Sequence, residues 1–182
     1  MVRFIVFLRA INVGGHNVTS AKLQEALTSL EYRKVSVYKQ SGNVILEADE
    51  ANPTEIKRKV ENTLCKKLGY EVAAFVRTIP QLKAIINLQP FNCYEKEGAS
   101  FLVTFLAQAP MELPFKLPIT IPKSTAQIIS IKGNEVFSVT HGGGEGGLPN
   151  PFLESKLKLK ATTRNMNTIV EIVDKFFEIE TK

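Results

Sequence analysis

The chain reads as an α+β protein whose N-terminal part is ferredoxin-like, and three observations carry that reading. Strand-like and helix-like segments follow one another as strand, helix, strand, strand, helix, strand over residues 2–77. Both helical segments in that run open on cap residues and carry a single apolar stripe. The rest of the chain holds a Gly133-Asn134 hairpin signal and a strongly periodic final helix, which makes a second α+β region.

Val2 to Ala10 is apolar on both faces, as a central strand requires. Asn12 to Asn17 is loop, and Thr19 and Ser20 are cap residues for a helix built on Leu23, Ala26, Leu27 and Leu30. Val35 and Val37 alternate with Ser36 and Tyr38, and Val44 to Leu46 follows the Ser41-Gly42-Asn43 turn, so the two segments form a hairpin. Asn52, Pro53 and Glu55 resemble a capping box with proline in the first turn. Ile56, Val60, Leu64 and Leu68 are the inner stripe of that helix, Cys65 sits on its inner edge as a small buried hydrophobe, and Gly69 ends it. Glu71 to Arg77 is a strand, and Leu82, Ile85 and Ile86 mark a third helix closed by Pro90.

Cys93 to Ser100 is polar and reads as a linker, which divides the chain into a ferredoxin-like domain over 1–92 and a second subdomain over 93–182. Phe101 to Ala107 is a strand. Pro110, Pro114, Pro118 and Pro122 preclude a helix, so that stretch is extended surface chain. Ala126 to Lys132 and Glu135 to His141 are the hairpin around Gly133-Asn134. Asn150-Pro151 can start a short helix, although the period-two run Lys156 to Lys160 argues against a long one. Met166, Ile169, Val170, Val173 and Phe177 form the face of the last helix, with Thr163 as its cap.

With 44% hydrophobic and 23% charged residues among 182, a packed core is expected and general disorder is excluded. A net charge of +5 favours anionic partners only weakly. The two cysteines, Cys65 and Cys93, lie far apart with no secretory signal, which points to a reducing, cytoplasmic setting. No run approaches the ~20 apolar residues of a membrane span. Two His, two Cys and two Asp without ligand spacing give no metal site, and no cofactor is expected.

The strand order has a geometric consequence. The first two strands run in the same direction, so the 10–18 loop and the 41–43 turn share one end of the sheet. Arg9, Asn12, Gly14 and Gly15 then share a rim with Gln40, Ser41, Gly42 and Asn43, and Arg77 lies at the other end. A Gly-Gly loop before a helix start can aim backbone N–H groups at an anion. It lacks a P-loop ending, and the competing reading is that its glycines only serve turn geometry. Ser41 to Asn43 are equally ordinary turn residues. Arg164 and Asn165 exceed what capping the last helix needs. Arg164 suits a bidentate contact with a carboxylate or phosphate, or a structural tie to the rest of the protein. Gly142 to Gly147 matches G-x-G-x-x-G formally, but it follows a hairpin strand and is no dinucleotide site; a role in closing over a ligand stays open. His141 and His16 have no Ser or Cys beside them. The basic clusters at Lys57 to Lys67 and Lys156 to Arg164 read as solvated faces.

Leu8-Arg9-Ala10-Ile11-Asn12-Val13-Gly14-Gly15, Tyr38-Lys39-Gln40-Ser41-Gly42-Asn43-Val44 and Thr163-Arg164-Asn165-Met166-Asn167-Thr168 together resemble a bacterial family known only as a domain of unknown function. The similarity spans essentially the whole chain, with Ala10 where the family usually has Gly and Met166 where it usually has Trp. The resemblance implies a ferredoxin-like α+β region with added elements, and no established activity, substrate or cofactor.

The first functional reading is a binding or regulatory module for an anionic small molecule or a nucleic-acid phosphate at the rim. A second is an enzyme using the same rim, with the 142–147 loop as lid and His141 or His16 as acid/base. A third is a dimerising interaction scaffold with exposed strand edges and no membrane partner.

Overall fold

In the computed structural model, which describes residues 1–9, 11, 17–30, 32–39, 42–49, 52–95, 97–142 and 147–177, the chain divides into two compact units, Met1–Lys83 and Ala84–Lys182.

The first unit contains β1 (Val2–Arg9), α1 (Ser20–Thr28), β2 (Arg33–Tyr38), β3 (Asn43–Ala48), α2 (Pro53–Leu68) and β4 (Ala73–Thr78). Its sheet has the order β2-β3-β1-β4, and every pairing is antiparallel. This is the ferredoxin-like arrangement that the element order predicts. Because β1 and β2 are both antiparallel to β3, they run the same way. Phe4, Val6 and Leu8 of β1 pack with Leu23 and Leu27 of α1 and with Ile56, Val60 and Leu64 of α2 in one core. The alternate residues Ile5 and Phe7 are also fully buried, so β1 is apolar on both faces for a reason. Arg77 pairs with Ile5 in the middle of β1, two residues from Phe7 and its partner Asn43, so it lies mid-sheet rather than at the opposite end that the sequence suggests.

Local chemistry sets the helix ends. The Thr19 hydroxyl accepts from the Lys22 N–H (3.2 Å), and the Asn52 side chain accepts from the N–H groups of Thr54 (3.0 Å) and Glu55 (3.4 Å). Gly69 stops α2 in the left-handed region at φ 82°. Cys65 corrects the sequence reading, because it is exposed. The inner stripe runs Ile56, Val60, Leu64, and one residue further turns the side chain by about 100°, away from the sheet.

Along the chain, α3 (Ile79–Asn87) is followed by β5 (Ala99–Leu106), β6 (Ile119–Thr120), β7 (Gln127–Lys132), β8 (Glu135–His141), α4 (Asn150–Leu157), β9 (Ala161–Asn165) and α5 (Met166–Phe177). The second sheet has the order β6-β7-β8-β5-β9. Leu106, Val136, Ile128 and Ala161 form its core with Leu153 of α4. Phe91 stacks on Phe101 at 4.7 Å between ring centroids.

Two sequence expectations change here. Thr163, Arg164 and Asn165 belong to strand β9 rather than to a helix start, and Thr163 pairs with Thr104 of β5. The cap of α5 is Asn165, whose side-chain oxygen accepts from the Asn167 N–H at 2.9 Å. The buried face of α5 is Ile169, Ile172 and Val173, while Val170 is only half-buried. The α4 helix forms, and Lys158 ends it in a left-handed conformation at φ 57°, so the period-two lysine run lies largely beyond the helix.

Candidate functional site

Ile11, just after β1, and Gly42, just before β3, lie side by side at one edge of the first unit's sheet. The Leu8 N–H donates to the Gly42 carbonyl at 2.8 Å. Phe7 of β1 pairs with Asn43 of β3, and Arg9, half-buried, closes β1 two residues further on. Ile11 is buried, and a Cβ built on Gly42 would stand 3.1 Å from its Cγ2 and 3.1 Å from Leu8 Cβ. The beginning of the 10–18 loop therefore rests directly on the β2–β3 turn.

Two described residues of the rim, Gly42 and Asn43, have structural tasks. Asn43 is wholly buried, and its side-chain amide donates to the Tyr38 carbonyl at 3.0 Å, which fixes the turn. Gly42 adopts φ +70°, a conformation that L side chains resist, at a point where a side chain has no room. Gly42→Ala is expected to cost about 1–3 kcal/mol from backbone strain and crowding together, read as a lowered urea midpoint. An unchanged midpoint would show that the turn tolerates another geometry. Tyr70, just after α2, donates its hydroxyl to the Ile11 carbonyl at 3.0 Å, and burial pushes its pKa up. This strut links residues 59 positions apart, and periodicity cannot reveal it.

Asn12, Gly14, Gly15, Gln40 and Ser41, together with His16, lie outside the described residues, as does 143–146 of the glycine loop. Arg9, Gly42 and Asn43 belong to the first unit, and Arg164 and Asn165 to the second.

Arg164 is buried in β9 opposite Val103. Its guanidinium donates to the Thr162 hydroxyl (2.9 Å) and to the Thr163 carbonyl (2.8 Å). Burial pushes its pKa down to about 10, so it remains cationic at neutral pH. Asn165 is engaged as the cap of α5. His141 is exposed at the end of β8, and its carbonyl accepts from the Thr125 hydroxyl. Among the described residues, no cluster of His, Cys, Asp and Glu is placed to hold a metal ion. Among them also, no helix is long and apolar enough to cross a membrane.

A feature that sequence reading missed is a row of hydroxyls on the second sheet. Thr104 and Thr163 share a hydrogen bond at 2.8 Å, and Thr163 donates to the Asn150 side chain at 3.3 Å. Thr125 and Thr140 share another at 3.0 Å. The pattern Ser138-Val139-Thr140 in β8 was the available signal, since polar residues alternate there with apolar ones on a buried strand.

The model of a family described as "Protein of unknown function (DUF1697)" matches residues 1–137. A solved structure of a conserved bacterial protein from Streptococcus pneumoniae is similar in fold, with a TM-score of 0.63 and 19% sequence identity. The similarity covers 95% of this chain and 97% of that one. No curated protein matches the sequence.

Proposed function

The chain belongs to that family of unknown function, and from this premise we propose that it is a binding or regulatory module for an anionic small molecule or a nucleic-acid phosphate, acting in the cytoplasm at the rim between the 10–18 loop and the 41–43 turn. The observation that supports the proposal is the contact of Leu8 and Ile11 with Gly42, residues that adjoin the two polar, glycine-containing segments in sequence. Arg9 supplies positive charge beside that contact. Asn12, Gly14 and Gly15 on one segment and Gln40 and Ser41 on the other supply the proposed donors. We take the three quoted motifs as the marks of the family, with the first two forming the rim. Tyr70 and Asn43 hold the described flanks in place, which lowers the ordering cost of binding.

A thermal-shift screen against nucleotides, sugar phosphates and short RNA tests this reading. A ligand at one hundred times its Kd should stabilise the protein by about 2.7 kcal/mol, and Arg9→Ala should abolish most of the shift at the same concentration. A shift that Arg9→Ala leaves intact would move the site elsewhere.

A further inference from the structure

The first unit has a cavity of about 210 Å³ at the end of β3 away from Gly42. The strand register explains which residues gather there. Arg33 pairs with Glu47, so the start of β2 lies against the end of β3, and Tyr32, Arg33, Glu47 and Asp49 line one space. Lys59 of α2 closes it from the helix side, with its Nζ 6.0 Å from the centre of the Tyr32 ring. Leu30, just after α1, and Ala48 complete the lining. Leu30 and Tyr32 both pack against the core of the unit, so this part of the wall is apolar and backed by tightly packed side chains.

The charges around this cavity are of two kinds. Glu47 is matched by Arg3 and Lys34, and Lys59 stands 3.8 Å from Glu55. Arg33 and Asp49 differ from these. Both are exposed, and neither side chain forms a hydrogen bond or ion pair with the other or with any other described residue. Two opposite charges thus border one cavity and leave each other unneutralised. A plain anion drawn to Arg33 would also face Asp49 and Glu47, and a plain cation drawn to Asp49 would also face Arg33 and Lys59. A ligand that carries both signs close together meets favourable charge on both sides.

We propose that this cavity binds a small zwitterion of the α-amino-acid class. Its carboxylate lies on the Arg33 guanidinium, which suits a bidentate contact, and its ammonium lies on the Asp49 carboxylate. An aliphatic side chain then rests against Leu30, Ala48 and the Tyr32 ring. Glu47 and Lys59 keep their present partners and flank the ligand. The strand β3 runs from Asn43, beside the rim, to Ala48, in the cavity wall, so the two sites lie at opposite ends of one strand. This inference does not rest on the reading of the rim.

The test is a titration of the full 15N-labelled chain with L-leucine. Two further arms use isocaproate, which lacks the ammonium, and isoamylamine, which lacks the carboxylate, all at matched ionic strength. The expected result is saturable shifts at the Arg33, Ala48 and Asp49 amides with L-leucine, and none with either half at the same concentration. Arg33→Gln and Asp49→Asn should each weaken the affinity about tenfold, through the loss of one charge-assisted contact. Their urea midpoints should stay near wild type, because both side chains are exposed. Arg9→Ala should leave the response unchanged, and a response lost in that variant would place the binding at the rim and overturn the proposal. Isocaproate equalling L-leucine would make the cavity a plain anion site, and isoamylamine equalling it a plain cation site; either result overturns the zwitterion. So would no saturable shift with L-leucine, or an affinity unchanged in Arg33→Gln or Asp49→Asn.

Discussion

Glu47→Ala should lower the unfolding free energy by about 3–5 kcal/mol at neutral pH. Glu47 on β3 and Arg3 on β1 are paired directly across the sheet, and both are buried, at 6% and 7% exposure. Two guanidinium nitrogens of Arg3 donate to the same carboxylate oxygen, Oε1. Lys34 adds an outer contact at 3.1 Å from an exposed position, and such an arm contributes little by itself. Truncating Glu47 takes away the carboxylate that the buried Arg3 guanidinium faces, and the loss of that compensation is the source of the destabilisation. Replacing both partners with apolar residues, as in Arg3→Met with Glu47→Leu, should come out near neutral. Burial pushes the Glu47 carboxyl up, but the hydrogen bonds from Arg3 and Lys34 and their charges outweigh it, and its pKa falls below the ordinary 4.5. The stabilisation is therefore complete above that value and is lost as the pH falls through the lowered one. Urea melts of wild type and Glu47→Gln should converge under acid. A loss below about 1 kcal/mol in Glu47→Ala at pH 7 would mean that Arg3 finds water or another acid.

Arg164→Met should raise stability by about 1–2 kcal/mol at pH 7. The guanidinium is held in β9 with its pKa brought down by burial to about 10. That shift is a cost of charge burial on the order of 3 kcal/mol. It is offset by the hydrogen bonds to Thr162 and Thr163, each contributing about 1 kcal/mol. The folded protein gives up this proton before the unfolded chain does. The cost is thus fully present below pH 10 and is relieved as the pH rises past it. Methionine fills most of the volume without the charge, whereas Arg164→Ala would open a cavity and destabilise. A drop of more than about 1 kcal/mol in the methionine variant would show that the charge is well compensated where it sits.

The ferredoxin-like part was legible because its signals are local and agree with one another. Asn52, Pro53 and Gly69 bracket α2 by capping chemistry, and β1 announces a central strand by being apolar on both faces. The direction of β1 and β2 then followed from topology alone, which placed residue 42 beside the end of β1 without any long-range information. The second unit was less legible. Its strand β9 is Ala161-Thr162-Thr163-Arg164-Asn165, polar and short, and it is a strand because β5 lies beside it. A polar segment before an apolar helix looks like a cap in sequence, and here a cap and a strand share the same residues. The Tyr70 strut and the cavity bordered by Arg33 and Asp49 were out of reach for a similar reason. Each owes its significance to neighbours set by tertiary packing.

The position of β5 between β8 and β9 bears on how the nascent chain matures. The first unit has all its strands once Thr78 has been made, so it can fold while translation continues. Strand 99–106 is different: its second neighbour, 161–165, emerges from the ribosome more than fifty residues later. Until then one edge of β5 has no strand beside it, and the sheet of the second unit closes only when its last strand arrives.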